Sequence, residues 1–442
     1  MMAEVRTINV SNAVDLALIN NPQIKQMAED VNVAKAQLNE SFADLALPKV
    51  SLSAGFTLLD PQTVESNVIN PLEEFPSSML SLFHLGSISF PTYTNVYMDN
   101  YSAGLSVNKT LFSGFKYLNS WRLKQINLDI TQKKFEDKKR EVVSGTLSSF
   151  YNLFLLRENI SLSEQQNITL SNQQRNVEMN YVNGTATEYD KIRVQVLNTY
   201  NRPRLLSVQN AYRTAKMAFC DSLGIKDYDQ VEFVGNLLDS TNLTMENEDE
   251  NTLIAQAISN DINLKALDYT IETMKITREI NDGTKYPSLA AFFNFKDDYT
   301  KDSILDVDRR WITSWTTGLQ LNIPVDDWLP VSRTANMVSE TEANIRKSVD
   351  MRDQMRDSIA LQVRSLLMQL EVSKVNISSQ MEGMSQAKLG LDVANKRYNA
   401  GATPASEIID SEFSYTQAQA AYLQAIYDYY SSVLKLKRMI GE

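Results

Sequence analysis

Four short segments of the chain alternate between apolar and polar residues with a period of two. They lie at 50–59, 100–112, 288–296 and 311–323. This alternation predicts β-strands with one apolar and one polar face, because successive side chains of a strand point to opposite sides of the sheet. Two interpretations fit the pattern, namely membrane β-barrel strands and an amphipathic sheet on a soluble core. Four strands cannot close a barrel alone, so the first interpretation requires several chains.

Long stretches without proline, which would break a helix interior, follow these segments. The chain has no proline between Pro91 and Pro203 or between Pro330 and Pro404. We predict four long helices, at about 116–181, 187–222, 331–398 and 404–440. The first would extend for about 99 Å at about 1.5 Å per residue, which indicates coiled-coil packing or a helical barrel. Within the second helix, Pro203 removes a backbone hydrogen bond and predicts a kink.

The two halves of the chain repeat each other. The segment Tyr181-Val182-Asn183-Gly184 reappears as Tyr398-Asn399-Ala400-Gly401, 217 residues later. An acid stands six residues past each glycine, as Asp190 and Glu407. We therefore predict a duplication, with a first repeat at 1–225 and a second at 226–442. Extra residues of the first repeat, at 60–98, are rich in serine and asparagine and predict a long external loop.

Charge and composition exclude several classes of function. The chain carries 43 Lys and Arg against 54 Asp and Glu, a net charge of −11, so no basic excess is available to bind a nucleic-acid backbone. It has a single histidine, His84, and a single cysteine, Cys220. These cannot form a zinc set or an intrachain disulfide, and a catalytic triad would have to use His84. Phosphate-binding glycine loops and an HExxH motif are also absent from the sequence.

These exclusions favour a protein without catalytic residues, cofactor or metal. His84 is interpreted as a loop residue and Cys220 as a small buried hydrophobe. An enzyme that uses a pair of acids is a distant alternative, since acid pairs are too common to discriminate. The sequence contains no apolar run of about 18 residues, as a transmembrane helix requires. Its start, MMAEVRTINV, has neither the basic nor the apolar region of a signal peptide.

The order of these features resembles the TolC family of outer-membrane efflux and secretion channels over nearly the whole chain. The shared series comprises a helix start at Ala17-Leu18-Ile19-Asn20-Asn21-Pro22, an exit from strand to helix at Leu111-Phe112-Ser113-Gly114-Phe115, and the two turns described above. No single motif is specific, whereas the duplicated series is. The resemblance implies a mainly α fold with membrane β-strands, in which a homotrimer with four strands per chain forms a twelve-strand outer-membrane β-barrel. Below it, an α-helical barrel would cross the periplasm.

The resemblance also implies a function and partners. The function is that of a passive exit duct in a tripartite efflux pump or a type I secretion system. The partners are a periplasmic adaptor protein, an inner-membrane pump and outer-membrane lipid. A soluble scaffold built from a duplicated coiled coil is the alternative from another class of protein.

Residues at the two turns receive roles through the same resemblance. The expected adaptor-docking tips are Asn183, Gly184, Thr185, Ala400, Gly401 and Ala402. Glu407 and Asp410, three residues apart on one helix face, match acids that line the closed entrance, and Tyr398 and Asp190 match a hydrogen-bonded pair that holds it shut. From the residues alone, left-handed helix caps and solvated acids at a helix start explain the same positions. Thr403 stands where one family member has a basic residue, so we expect part of the closing network to be absent or rebuilt.

Overall fold

The computed structural model describes residues 6–58, 99–237, 249–302 and 307–441. The predicted external loop at 60–98 and His84 lie outside the described residues. The helices are α1 (Val10–Asn20), α2 (Pro22–Ala46), α3 (Lys116–Val182), α4 (Glu188–Ser222), α5 (Glu250–Asn260), α6 (Ile262–Gly283), α7 (Arg333–Asn399) and α8 (Ala405–Ile440). The strands are β1 (Arg6–Ile8), β2 (Lys49–Leu58), β3 (Asp99–Ser113), β4 (Val231–Phe233), β5 (Ser288–Asp302) and β6 (Val307–Asn322).

Two compact units make up the chain, and each draws on both predicted repeats. The first comprises Met1–Lys35, Ile126–Glu272 and Arg346–Glu442, and the second comprises Ala36–Gln125 and Thr273–Ile345. The compact units therefore do not coincide with the repeats at 1–225 and 226–442. The repeats describe the order of elements along the chain, whereas packing joins corresponding elements of the two halves.

The second unit contains a four-stranded antiparallel sheet in the order β2-β3-β5-β6. Its register aligns rows of apolar residues on one face, such as Leu52, Leu105, Phe295 and Trp315. The opposite face carries rows of small and polar residues, such as Ser51, Ser106, Asn294 and Thr316. In this sheet the outer edges of β2 and β6 have no partner strand among the described residues.

The predicted strand at 288–296 is too short. β5 continues to Asp302, and β6 begins at Val307 rather than at 311. The charged residues at 296–298 stay paired through their backbone with β3 and β6. Strand formation depends on cross-strand partners more than on local preference, which explains the difference.

Two glycines allow the chain to cross itself at the helix-bearing end of the sheet. Gly114 lies between β3 and α3 at a φ of +59°, and Gly283 is the last residue of α6. A Cβ on either glycine would overlap the backbone of the other. Both positions therefore exclude a side chain, and Gly114 also requires the left-handed conformation.

Helices α3 and α7 have 67 residues each. α4 is one continuous helix that contains Pro203. The largest hydrophobic cluster of the first unit packs around α3 and includes Phe150, Phe154 and Tyr430. Cys220 is fully buried in this cluster, which confirms its interpretation as a small buried hydrophobe.

Matching contacts occur at the helix ends of the two halves. The side-chain amide of Asn20 donates to the carbonyl of Leu223 (3.2 Å), and that of Asn260 donates to the carbonyl of Ile440 (2.5 Å). In each case the acceptor is followed by a glycine in the left-handed conformation. A duplicated sequence is expected to produce such paired arrangements.

Candidate functional site

A tight turn around Gly184 joins α3 to α4. The φ of Gly184 is +75°, a conformation that glycine adopts without a Cβ penalty. The amide of Gly184 donates to the carbonyl of Tyr181 (3.1 Å), and the amide of Thr185 donates to that of Asn180 (2.8 Å). These bonds satisfy carbonyls at the end of α3 that no helical partner reaches.

The turn between α7 and α8 repeats this geometry. Gly401 has a φ of +70°, its amide donates to the carbonyl of Tyr398 (2.9 Å), and the amide of Ala402 donates to that of Arg397 (2.8 Å). A Cβ on either turn glycine would meet open space. The backbone conformation, rather than crowding, therefore calls for glycine, and the left-handed caps expected from the residues are confirmed.

All six predicted tip residues are exposed. They are Asn183, Gly184, Thr185, Ala400, Gly401 and Ala402. Neither turn is covered by another described part of the chain, so the backbone and small side chains at both tips are accessible. Docking of a partner at these tips stays a prediction.

Glu407 lies in the first turn of α8 and is paired with a cation. The guanidinium Nη1 of Arg397, in the last turn of α7, donates to Oε1 of Glu407 at 2.8 Å. The hydroxyl of Thr403 donates to the other carboxylate oxygen. Thr403 stands where one family member has a basic residue, yet both oxygens of the Glu407 carboxylate accept a hydrogen bond. Arg397 supplies the positive charge from the preceding helix.

Asp410 is paired with a cation from the other helical hairpin. Nη2 of Arg193, on α4, lies 3.0 Å from Oδ1 and 2.9 Å from Oδ2 of Asp410. The side chains of Arg193 and Asp410 are 34% and 62% exposed, so water screens the pair in the single chain. The ion pair joins α4 to α8 across the two hairpins.

Buried neighbours orient the two acids. Ile408 and Ile409 are 3% exposed and pack in separate hydrophobic clusters beside α8. Because these side chains point into the packed side of α8, Glu407 and Asp410 project from its other side. A groove of about 470 Å³ beside the acids is lined mainly by small residues, which are Ala387, Gly390, Ser406, Ser411 and Ser414. One turn further, burial raises the pKa of Glu412.

A profile of the family described as "Outer membrane efflux protein" matches residues 13–224 and 253–442. The chain belongs to the outer membrane efflux protein family. Its resemblance to the TolC family is thereby confirmed, as is its location in the outer membrane. The chain is an exit duct for efflux, and a soluble coiled-coil scaffold is not favoured. This is a family of transport proteins rather than of enzymes.

Individual members of the family share its length and fold at low sequence identity. The chain is 17% identical over 333 residues to the outer membrane efflux protein BepC of Brucella suis, covering 74% of this chain and 69% of BepC. The CmeC outer membrane channel of Campylobacter jejuni matches with a TM-score of 0.76 and 16% identity over 98% of this chain and 85% of CmeC. The outer membrane protein VceC of Vibrio cholerae matches with a TM-score of 0.73 and 14% identity over 98% of this chain and 96% of VceC. These structures support the mainly helical fold with β-strands.

The efflux protein does not form the predicted Tyr398–Asp190 link within one chain. Among the described residues, the hydroxyl of Tyr398 accepts from the side-chain amide of Asn180 at 3.1 Å. Asp190 instead caps its own helix, accepting from the hydroxyl (2.7 Å) and the amide (3.2 Å) of Thr187. The amide of Asp190 donates back to the Thr187 hydroxyl. This reciprocal capping box holds the carboxylate at the start of α4.

Sequence reasoning missed three polar residues that contact the predicted site residues, namely Asn180, Arg193 and Arg397. The duplication contains a signal for one of them, because Arg193 stands nine residues past Gly184 just as Asp410 stands nine past Gly401. Opposite charges thus occupy equivalent positions of the two repeats. This pairing of opposite charges is the signal in the sequence that predicts their contact.

Within the described ranges, no group of His, Cys, Asp and Glu side chains is arranged to hold a metal ion. None of the described helices is both long and apolar enough to cross a membrane.

Proposed function

We propose that three copies of this efflux protein assemble into a closed outer-membrane barrel of twelve strands. The four-stranded sheet with an apolar and a polar face carries the proposal. In lipid, each unpaired backbone group of the open edges of β2 and β6 would cost several kcal/mol. Pairing between chains satisfies both edges at once, with the apolar face towards lipid and the polar face towards the pore.

The long helices would continue the duct on the periplasmic side. All connections between strands and helices lie at one end of the sheet, since β2 and β5 begin after α2 and α6, while β3 and β6 end before α3 and α7. We place this end towards the periplasm. A periplasmic adaptor would dock at the exposed turns around Gly184 and Gly401, and an inner-membrane pump would deliver the cargo.

The gate at the far end of the duct would contain paired charges. Three chains would bring six carboxylates, from Glu407 and Asp410, together with six guanidinium groups, from Arg193 and Arg397. An entrance ring of unpaired acids would attract cations, whereas the ion pairs neutralise most of that charge while the hairpins stay together. Separation of α4 from α8 would break the pair between Arg193 and Asp410, so gate opening would leave both charges without this partner.

A matched pair of substitutions tests the barrel. Leu52 is 84% exposed on the apolar face, and Ser53 is its neighbour on the polar face. Leu52→Lys would place a charge in lipid at a cost of up to about 2–4 kcal/mol per chain, so we expect loss of membrane insertion. Ser53→Lys should leave insertion intact and lower cation selectivity in planar bilayers.

The outcome separates the channel from a soluble protein. A purified wild type that sizes as a trimer in detergent and conducts ions is the expected result. A monodisperse monomer that needs no detergent would refute the proposal. Equal insertion of both lysine variants would refute the assignment of the apolar face to lipid.

A further inference from the structure

One carboxylate lies on the apolar face of the sheet. Asp297 of β5 is in register with Ala103 of β3, which pairs with Ala54 of β2, and with Thr313 of β6. These residues form one row on the same face as Leu52 and Phe295, because two residues separate the rows along each strand. The hydroxyl of Thr313 donates to Oδ1 of Asp297 at 3.1 Å.

Aromatic and large apolar rows border this carboxylate on both sides. Towards the loop end of the sheet, four rings follow each other across the strands. Their centroids are 4.9 Å apart for Phe56 and Tyr101, 6.1 Å for Tyr101 and Tyr299, and 5.4 Å for Tyr299 and Trp311. The row on the other side consists of Leu52, Leu105, Phe295 and Trp315.

The row that contains Asp297 is therefore a recess between two taller rows. Ala54 and Ala103 present only methyl groups at this level, and the rings of the neighbouring rows stand above them. The recess has an anionic group at one end and aromatic walls. Such walls attract cations through their ring faces.

The two charged residues next to Asp297 in the sequence pair with each other. Lys296 and Asp298 form an ion pair of 2.8 Å, but as sequence neighbours of Asp297 they project from the polar face. Among the side chains that the structure describes, none places a cation within ion-pair distance of Asp297. A charged group on a lipid-facing surface is costly and commonly marks a function.

We propose that Asp297 and the aromatic rows around it bind a membrane lipid whose headgroup carries a primary ammonium group. The inference rests on the proposed barrel, which turns this face towards lipid. The ammonium group would donate to the carboxylate of Asp297 and lie against the rings of Tyr299 and Trp311, while the acyl chains would follow the apolar rows towards the periplasmic end. Charge complementarity selects this headgroup over an anionic one.

Fluorescence quenching of tryptophan by brominated lipids tests the site. The chain has four tryptophans, and Trp121→Phe with Trp328→Phe leaves only Trp311 and Trp315, which border the recess. The protein is reconstituted in vesicles that contain brominated phosphatidylethanolamine or brominated phosphatidylglycerol. We expect a preference of about three- to tenfold for phosphatidylethanolamine, the range of one hydrogen bond of typical net strength.

Three variants control the measurement. Asp297→Asn should remove the preference, and Thr313→Val should reduce it, because the Thr313 hydroxyl orients the carboxylate through its hydrogen bond. Asp298→Asn, on the neighbouring residue of the opposite face, should keep the preference and alter conductance instead. A conducting trimer without lipid preference, or an unchanged preference in Asp297→Asn, would overturn the lipid site alone. A protein that neither trimerises nor conducts would overturn the barrel on which the site rests.

Discussion

The ion pair between Arg193 and Asp410 is expected to hold the gate closed. It is a direct contact between charged groups of α4 and α8, so separation of the two hairpins must break it. We consider Arg193→Gln, Asp410→Asn and the double variant, because these changes remove charge while roughly preserving side-chain size.

The magnitude follows from the exposure of the pair. With side chains 34% and 62% exposed, the pair belongs with solvent-screened ion pairs that contribute about 0.2–1 kcal/mol each. Three copies in a trimer would contribute about 0.6–3 kcal/mol to the closed state, provided that they break together. That energy corresponds to a change of about 3- to 150-fold in the ratio of open to closed channels.

Single-channel recording in planar bilayers measures this ratio. Each single variant should raise the open probability, and the double variant should raise it no further, since one interaction is lost in all three cases. The ionic selectivity should shift in opposite directions, because Arg193→Gln leaves an excess of negative charge at the entrance and Asp410→Asn an excess of positive charge. Arg202→Gln, a change at an exposed arginine on the same helix, is the control.

Two results would refute this reasoning. If the effects of the single variants add in the double variant, the two residues act independently and the contact does not hold the gate. If neither variant changes open probability or selectivity, the acids and arginines lie away from the permeation path. In that case, these residues would be ordinary solvated charges at helix ends.

Further predictions concern the tips, the chain crossing and the partly buried Glu412. Replacing Gly184 or Gly401 by Val should strain a left-handed cap by about 1–2 kcal/mol and reduce export in cells while trimers still form; unchanged export would exclude docking at the tips. Gly283→Ala should lower the free energy of unfolding by about 1–3 kcal/mol and impair assembly, because its Cβ would overlap the backbone of the crossing segment. Gly145→Ala is the control: its Cβ meets open space, so it should raise helix stability by up to about 1 kcal/mol. Equal melting temperatures for these two variants would contradict the crossing. Burial raises the pKa of Glu412, so the folded state favours the neutral carboxyl group. The stability that the neutral form contributes is lost as pH rises through the folded pKa. Glu412→Gln should therefore raise the melting temperature at neutral pH but not at acidic pH, and a gain at both would contradict burial as the cause.

Local periodicity allowed much of the fold to be predicted. A strand exposes alternate residues to opposite surroundings, so the segments around Val50 and Trp315 carried their period of two in the sequence itself. The absence of proline and the glycines at 184 and 401 similarly marked where long helices run and end. These features depend on neighbours within a few residues, which any single sequence contains.

The tertiary structure alone decided which distant groups meet. Within the single chain, the carboxylate of Asp190, which the family resemblance links to Tyr398, bonds to Thr187, because a capping box forms within one turn of helix. Arg193 and Asp410 lie 217 residues apart, and only the packing of α4 against α8 brings their charges together. Asp297 lay beyond the predicted end of its strand at residue 296, where cross-strand hydrogen bonds continue the sheet. Sequence patterns thus determined the elements and their faces, whereas contacts between elements depended on a register and a packing that no local preference encodes.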